Sequence, residues 1–257
     1  MDLPSPRYVL DEKRLLNNLS RINRVQEEAG VKIILALKAF AMWSVFSKLK
    51  EVVTSASASS INEVRLCHEE MQVKSHTFCV AYDPSNFAEI ADKSSHLTFN
   101  SLSQYELFID KVPEEVLVAL RINPGWSDVE TALYNPASPT SRLGIYSNDL
   151  KQLPPGVSGL HFHVLCESNS YTLEKVLEKF EERFSHLLHQ AKWINMGGGH
   201  LLTDRNYDLD HLIELLNNFR KKHDVEIILE PGSAFVWQAG DLETEILDIV
   251  DNCGVET

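Results

Sequence analysis

Apolar positions recur along this chain with two different spacings, and stretches of the two kinds take turns. Short runs rich in β-branched and apolar residues lie at 32–38, 53–57, 75–81, 96–100, 116–122, 159–165, 193–196 and 226–229. Each reads as a strand. Between most of them apolar residues return every three or four positions, predicting helices over 42–52, 60–71, 86–93, 103–112, 172–190 and 209–222. A short strand at 8–10 and a polar amphipathic helix over 11–29 precede the series. Ser60 with Glu63, and Ser103 with Glu106, have the spacing of capping boxes and set two helix starts. Eight strands alternating with helices predict an α/β fold, a parallel (β/α)8 barrel. A long irregular segment, 123–146, interrupts the alternation.

After Gly232 the pattern changes. Residues 234–240 and 243–251 read as further strands with no helix between them. The expected organisation is therefore a barrel over 1–232, followed over 233–257 by the first strands of a β-rich domain that is otherwise missing, unless those strands pair elsewhere in the chain.

The chain has 257 residues, a length common for single α/β barrels, and 44% of them are hydrophobic, enough for a substantial core. Basic residues number 24 against 37 acidic ones, a net charge of −13. Such a surface repels nucleic acid and anionic membrane and attracts a cationic small molecule, although acids that merely keep the protein soluble give the same total. Cys67, Cys79, Cys166 and Cys253 show no paired spacing, so free thiols in a reducing compartment are expected. The N-terminus has no signal-peptide pattern and no apolar run reaches transmembrane length, so the expected location is the cytoplasm.

Catalytic groups of such barrels lie at the C-terminal ends of the strands. Lys38, Arg121, His163 and Glu230 fall there, and Gly197-Gly198-Gly199 and Pro231-Gly232-Ser233 follow the seventh and eighth strands, where barrels of this kind place phosphate. A lysine at the tip of a buried strand is partly desolvated. Its neutral amine is then favoured and can condense with an aldehyde. Glycines admit phosphate oxygens close to backbone N–H groups. A carboxylate beside a pyridine nitrogen keeps that nitrogen protonated, so that the ring can take up the electrons released when a substrate loses CO2. Together these are the parts of a site for pyridoxal 5′-phosphate (PLP).

Each residue also has a plainer reading. Glu230 alone is a buried carboxylate paired with a base, His163 alone a satisfied core histidine, and the triple glycine alone a turn. His161 and His163 point the same way along a strand and, with Cys166, suggest a metal site; no third ligand has clear spacing, and no metal is expected. The serines from Ser55 to Ser60 lack the glycines of a nucleophile elbow and read as a strand end plus a helix cap. Trp43, Phe46 and Leu49 have helical spacing and are expected in the core. Glu174, Glu178, Glu181 and Glu182, with Lys175 and Lys179, are expected on a solvated helix face with i,i+4 pairs.

Leu37-Lys38-Ala39, His161-Phe162-His163, Gly197-Gly198-Gly199 and Glu230-Pro231-Gly232, in this order, resemble the alanine-racemase-like PLP decarboxylases, which include the ornithine, arginine and diaminopimelate decarboxylases. The carboxynorspermidine/carboxyspermidine branch is the nearer resemblance. It rests on Leu120-Arg121-Ile122-Asn123-Pro124-Gly125, Tyr134-Asn135-Pro136 followed by Ser141-Arg142-Leu143-Gly144, Leu160-His161-Phe162-His163 with Leu165-Cys166-Glu167, and Asn195-Met196-Gly197-Gly198-Gly199-His200.

The resemblance implies a PLP barrel, a C-terminal β domain and a homodimer with shared active sites. It implies decarboxylation of carboxynorspermidine or carboxyspermidine, cationic carboxy-polyamines, to norspermidine or spermidine. By motif, Lys38 binds the cofactor aldehyde, His163 stacks on the ring, Gly197, Gly198, Gly199, Gly232 and Ser233 hold phosphate, and Glu230 faces the ring nitrogen. Arg142, Glu167 and Ser233 are the expected substrate contacts. Relatives carry a charged residue where this chain has Ser233. They also draw a cysteine, an aspartate and a tyrosine from the C-terminal domain, and none of these is assignable here. The alternative is a non-catalytic PLP barrel, either a cofactor carrier or a degenerate partner of an intact enzyme.

Overall fold

The structure is a computed structural model and describes residues 5–256. Nine strand segments form one parallel sheet in the order β2-β10-β9-β8-β7-β6-β5-β4-β3. They are β2 (Lys32–Ile33), β3 (Leu35–Ala36), β4 (Ala56–Ala58), β5 (Ser75–Phe78), β6 (Ser94–Phe99), β7 (Leu117–Arg121), β8 (Val157–His161), β9 (Trp193–Asn195) and β10 (Glu226–Leu229). The two edge segments, β2 and β3, are halves of one strand divided at Ile34, so the sheet closes on itself. Ile34 N–H donates to the Leu229 carbonyl at 2.9 Å on one side, and Leu37 N–H donates to the Ser57 carbonyl at 3.1 Å on the other. The eight-stranded barrel expected from the sequence is therefore present.

Side chains two apart share a face of a strand. Ile34, Ala119, Trp193 and Ile228 form an apolar cluster of their own, apart from the core that joins strands to helices. Gly159 makes room for it, since a Cβ there would lie 2.2 Å from the Trp193 ring. Two residues further toward the C-terminal rim, the same faces present Ala36, Arg121, Asn195 and Glu230. His161 joins this row as register partner of both Arg121 and Asn195. The barrel's alternation thus stacks a polar layer directly on an apolar one.

The helices seal the outside. α1 (Glu12–Ala29) is capped by Asp11, stops at Gly30 (φ 63°), and buries Leu15, Leu19, Ile22 and Val25. Full burial of such side chains stabilises by roughly 1.5–3 kcal/mol each. α6 (Ser170–Leu188) and α7 (Leu209–His223) pack side by side. Of the acidic run on α6, Lys179 and Glu182 pair within the helix at 2.6 Å, whereas Glu181 crosses to Lys222 (2.8 Å) and His223 (2.6 Å) on α7.

Four local expectations are corrected. α5 (Leu102–Phe108) is capped by Ser101, not Ser103. Gln104 N–H donates to Ser101 Oγ at 3.2 Å, Gln104 Oε1 accepts from Asn100 N–H at 2.9 Å, and this phase buries Phe108. The helix expected at 42–52 is a 3-10 turn (Trp43–Val45) followed by α2 (Phe46–Leu49); Phe46 and Leu49 are buried, but Trp43 is 60% exposed. Residues 234–239 are not in a strand, and α8 (Ser233–Val236) opens this stretch. It buries Ala234 and Phe235, with Asn18 Nδ2 donating to the Phe235 and Trp237 carbonyls. Finally, β11 (Gly240–Glu243) pairs antiparallel with β1 (Arg7–Leu10), while 244–250 form no strand, and Ile246 and Leu247 stand exposed.

Candidate active site

Lys38 stands on a turn just past β3 rather than inside a strand. Ala39 N–H and Phe40 N–H both return to the Ala36 carbonyl, at 3.1 and 3.2 Å. This turn throws the lysine over the C-terminal mouth of the barrel. There it lines a cavity of about 420 Å³ with Arg121, Tyr134, His163, Leu165 and Cys166. The residue as a whole counts as exposed, but its amine lies 3.4 Å from His163 Nε2. Desolvation pushes the amine below the usual lysine range, against the pull of Glu230.

His163 lies two residues beyond β8, and a backbone group fixes its ring. Gly198 N–H donates to Nδ1 at 2.9 Å. Nδ1 is therefore an acceptor, and the proton of the neutral ring sits on Nε2. Burial, then Lys38 and Arg121, holds His163 well below the usual histidine range, so the ring is neutral at pH 7. A neutral amine on Lys38 accepts from Nε2–H; an ammonium would set donor against donor.

Arg121, at the end of β7, is 4% exposed. It donates to the His163 carbonyl at 3.0 Å and lies 4.7 Å from the centre of the Phe78 ring. Burial brings its guanidinium down to about 10. Glu230, one residue past β10, is 7% exposed. Desolvation raises its carboxyl, and Asn195, Lys38, Ser57 and Arg121 act in the other direction. Asn195 Nδ2 donates to Glu230 Oε1 at 2.6 Å.

The glycines bind these parts together by close approach. A Cβ on Gly198 would lie 2.2 Å from the Glu230 carbonyl oxygen, and one on Gly199 2.2 Å from that of Leu165. A Cβ on Gly232 would lie 2.3 Å from Cβ of Ala39, so Pro231-Gly232 abuts the turn that carries Lys38. The N–H groups of Gly197 and Gly198 are already engaged, by Asn195 Oδ1 (2.8 Å) and His163 Nδ1. Of the three, Gly199 alone has an N–H with no hydrogen-bond acceptor among the described residues. Ser233 is half-buried at the start of α8.

The structure thus brings together Lys38, His163, Glu230, the glycine run and Gly232. It does not bring Arg142 or Glu167 to them. Arg142 is exposed, and its carbonyl accepts from Asn100 Nδ2 at 2.9 Å. Glu167 is exposed, in the left-handed region (φ 49°), and lines a separate cavity of about 300 Å³ with Asp128, Asp204 and Tyr207. Nitrogen or oxygen atoms of His161, His163 and Glu230 lie within 4.8 Å of one another, so Glu230, not Cys166, is the group that joins the two histidines. The buried Arg121 guanidinium acts on the same cluster, which opposes a metal dication.

Ser57, Phe78 and Asn195 also belong to the site, although in the sequence Ser57 falls in a run that reads as a strand end and Asn195 stands only within a motif of the resemblance. Their one sequence signal is parity: each lies on the barrel-facing side of its strand. His161, 2% exposed, has no hydrogen-bond partner for either ring nitrogen among the described residues.

The pyridoxal-binding domain of the pyridoxal-dependent decarboxylases matches residues 17–237. A carboxyaminopropylagmatine decarboxylase from Synechocystis sp. is 41% identical over 252 residues, covering 97% of this chain and 65% of the relative. A carboxynorspermidine/carboxyspermidine decarboxylase from Campylobacter jejuni is 38% identical over 251 residues, with coverage of 97% and 65%. The crystal structure of C. jejuni carboxynorspermidine decarboxylase complexed with norspermidine superposes with a TM-score of 0.90 at 36% identity, covering 98% of this chain and 66% of that one. The chain therefore spans about 65% of the length of these curated relatives. Among the described residues, no helix is long and apolar enough to cross a membrane.

Proposed function

Because the chain belongs to the pyridoxal-dependent decarboxylases, through their pyridoxal-binding domain, we propose that it serves PLP-dependent removal of the carboxylate from a cationic carboxy-polyamine. The products are norspermidine from carboxynorspermidine and spermidine from carboxyspermidine.

One observation carries the reading. The Lys38 amine lies 3.4 Å from a neutral imidazole whose proton faces it, at the mouth of the barrel, with a buried carboxylate in the same cluster. These residues fit PLP: an amine for its aldehyde, an imidazole for its ring face, a carboxylate for its ring nitrogen, and a loop with a free N–H for its phosphate. When bound, PLP supplies an electron-poor ring that takes up the electron pair left by departing CO2.

In this reading Lys38 holds the cofactor and His163 braces its ring, positioned by Gly198 and by Arg121 at its carbonyl. Glu230 keeps a proton at the ring nitrogen. Gly199, Gly232 and Ser233 contact phosphate, on a loop shaped by Gly197 and Gly198. Ser233 offers the substrate a hydroxyl in place of a charge, whereas Arg142 and Glu167 stand away from this cluster. The acidic surface favours a cationic substrate. We further propose the domain division at 232/233, a homodimer, and a cytoplasmic location.

The 41% identity to a carboxyaminopropylagmatine decarboxylase favours a second substrate, carboxyaminopropylagmatine, which calls on the same residues. The test is a CO2-release assay with carboxynorspermidine, carboxyspermidine, carboxyaminopropylagmatine, diaminopimelate and ornithine side by side. Release from one of the first three above the other two is expected. Preference for diaminopimelate or ornithine contradicts the polyamine reading.

A further inference from the structure

Asn195 closes β9 and, by strand parity, points into the polar layer at the barrel mouth. It is 3% exposed, and both ends of its amide are engaged. Nδ2 donates to Glu230 Oε1 at 2.6 Å, and Oδ1 accepts from Gly197 N–H at 2.8 Å. The Gly197 N–H also identifies which end of the amide is oxygen. The next backbone N–H, that of Gly198, goes to His163 Nδ1 at 2.9 Å, and His163 Nε2 lies 3.4 Å from Lys38 Nζ. One amide therefore stands in a continuous line of polar contacts from the acid after β10 to the amine after β3.

We propose that Asn195 is the positioning residue of this site. Its amide fixes the Glu230 carboxylate toward the cofactor ring and, through Gly197, holds the turn that presents Gly198 to His163. The inference rests on the reading of Glu230 as the partner of the ring nitrogen.

Only an amide fills both roles in this volume. Leucine has the shape without donor or acceptor. Aspartate keeps the acceptor for Gly197 but loses the donor to Glu230 and adds a second carboxylate beside it. The donor matters because Glu230 is buried. A desolvated carboxyl favours its neutral form, and a hydrogen bond to the ionised form offsets that preference. Ser57 adds to the same effect from β4. A Glu230 that kept its own proton would leave the ring nitrogen without its counter-charge.

The experiment loads the full chain with PLP carrying 15N in the ring and follows the ring nitrogen by NMR from mildly acid to mildly alkaline pH. Wild type, Asn195→Leu, Asn195→Ala and Glu230→Gln are compared. Glu230→Gln gives the shift of an unprotonated nitrogen. Asn195→Leu removes the donor to Glu230 without adding a charge. Its ring nitrogen loses its proton at a pH lower than in wild type by about one unit or more, the scale of one charge-assisted hydrogen bond. Asn195→Ala shows the same loss. If both titrate like wild type while Glu230→Gln does not, the role given to Asn195 is overturned. If Glu230→Gln also matches wild type, the reading of Glu230 itself fails. Should Asn195→Leu not fold, Asn195→Ala still decides.

Discussion

Gly198 donates its backbone N–H to Nδ1 of His163 at 2.9 Å, and this contact decides which ring nitrogen faces Lys38. The geometry leaves no room for a side chain, since a Cβ on Gly198 would lie 2.2 Å from the Glu230 carbonyl oxygen. Gly198→Ala is expected to cost roughly 1–3 kcal/mol through overpacking and to weaken PLP binding as the imidazole loses its anchor. Urea unfolding and a PLP titration of the same variant check both effects. Unchanged stability and affinity would show that the turn yields without consequence.

Glu230→Gln tests the carboxylate separately from cofactor binding. The amide keeps the shape and the contact with Asn195, so the PLP absorbance band is expected to persist. Decarboxylation should fall by on the order of a hundredfold or more, since a preorganised charge at the reacting system is typically worth that much. Paired absorbance and CO2-release measurements check this. Full turnover in the variant would mean that the ring nitrogen is governed from elsewhere.

Several histidines are buried in neutral form. His76 stacks on His96 with ring centres 3.7 Å apart, beside Lys32. Desolvation holds His76 well below the usual range and brings His96 and His200 down to about 4. An unfolded histidine takes its proton near pH 6.5. Between roughly pH 6.5 and 4 the unfolded form therefore binds more protons, and folding stability falls as pH drops through that window. Each such histidine contributes at most about 1.4 kcal/mol per pH unit. Denaturant midpoints recorded from pH 7.5 to 4.5 should be flat above about 6.5 and decline below it. His96→Gln should flatten the decline, and a variant with an undiminished slope would assign the proton uptake elsewhere.

The barrel was legible because its two periodicities are clean. Glu226–Leu229 appears where the apolar run placed it, and α7 runs from Leu209 to His223 against an expected 209–222. Lys38, His163 and Glu230 were legible because each ends or follows a strand, where barrel chemistry concentrates. What could not be read depended on contacts between distant strands. Ser57 and Asn195 are ordinary polar residues in sequence, and only closure of the barrel turns them toward Glu230. α8 could not be read because Ala-Phe-Val-Trp has strand-like composition, and its single turn of helix is held by Asn18 from far along the chain. Ser101 and Ser103 both begin a capping-box pattern, and only burial of Phe108 separates the two phases.

The proposed function turns on condensation of the Lys38 amine with the aldehyde of PLP. The most direct measurement is the visible absorbance of the chain on addition of PLP, followed by borohydride reduction and peptide mass mapping. We predict a lysine-bound cofactor band, a fixed pyridoxyl mass on the peptide containing Lys38, and loss of both in Lys38→Ala. A Lys38→Ala protein that keeps the full band, or a fixed mass on another lysine, would contradict the account.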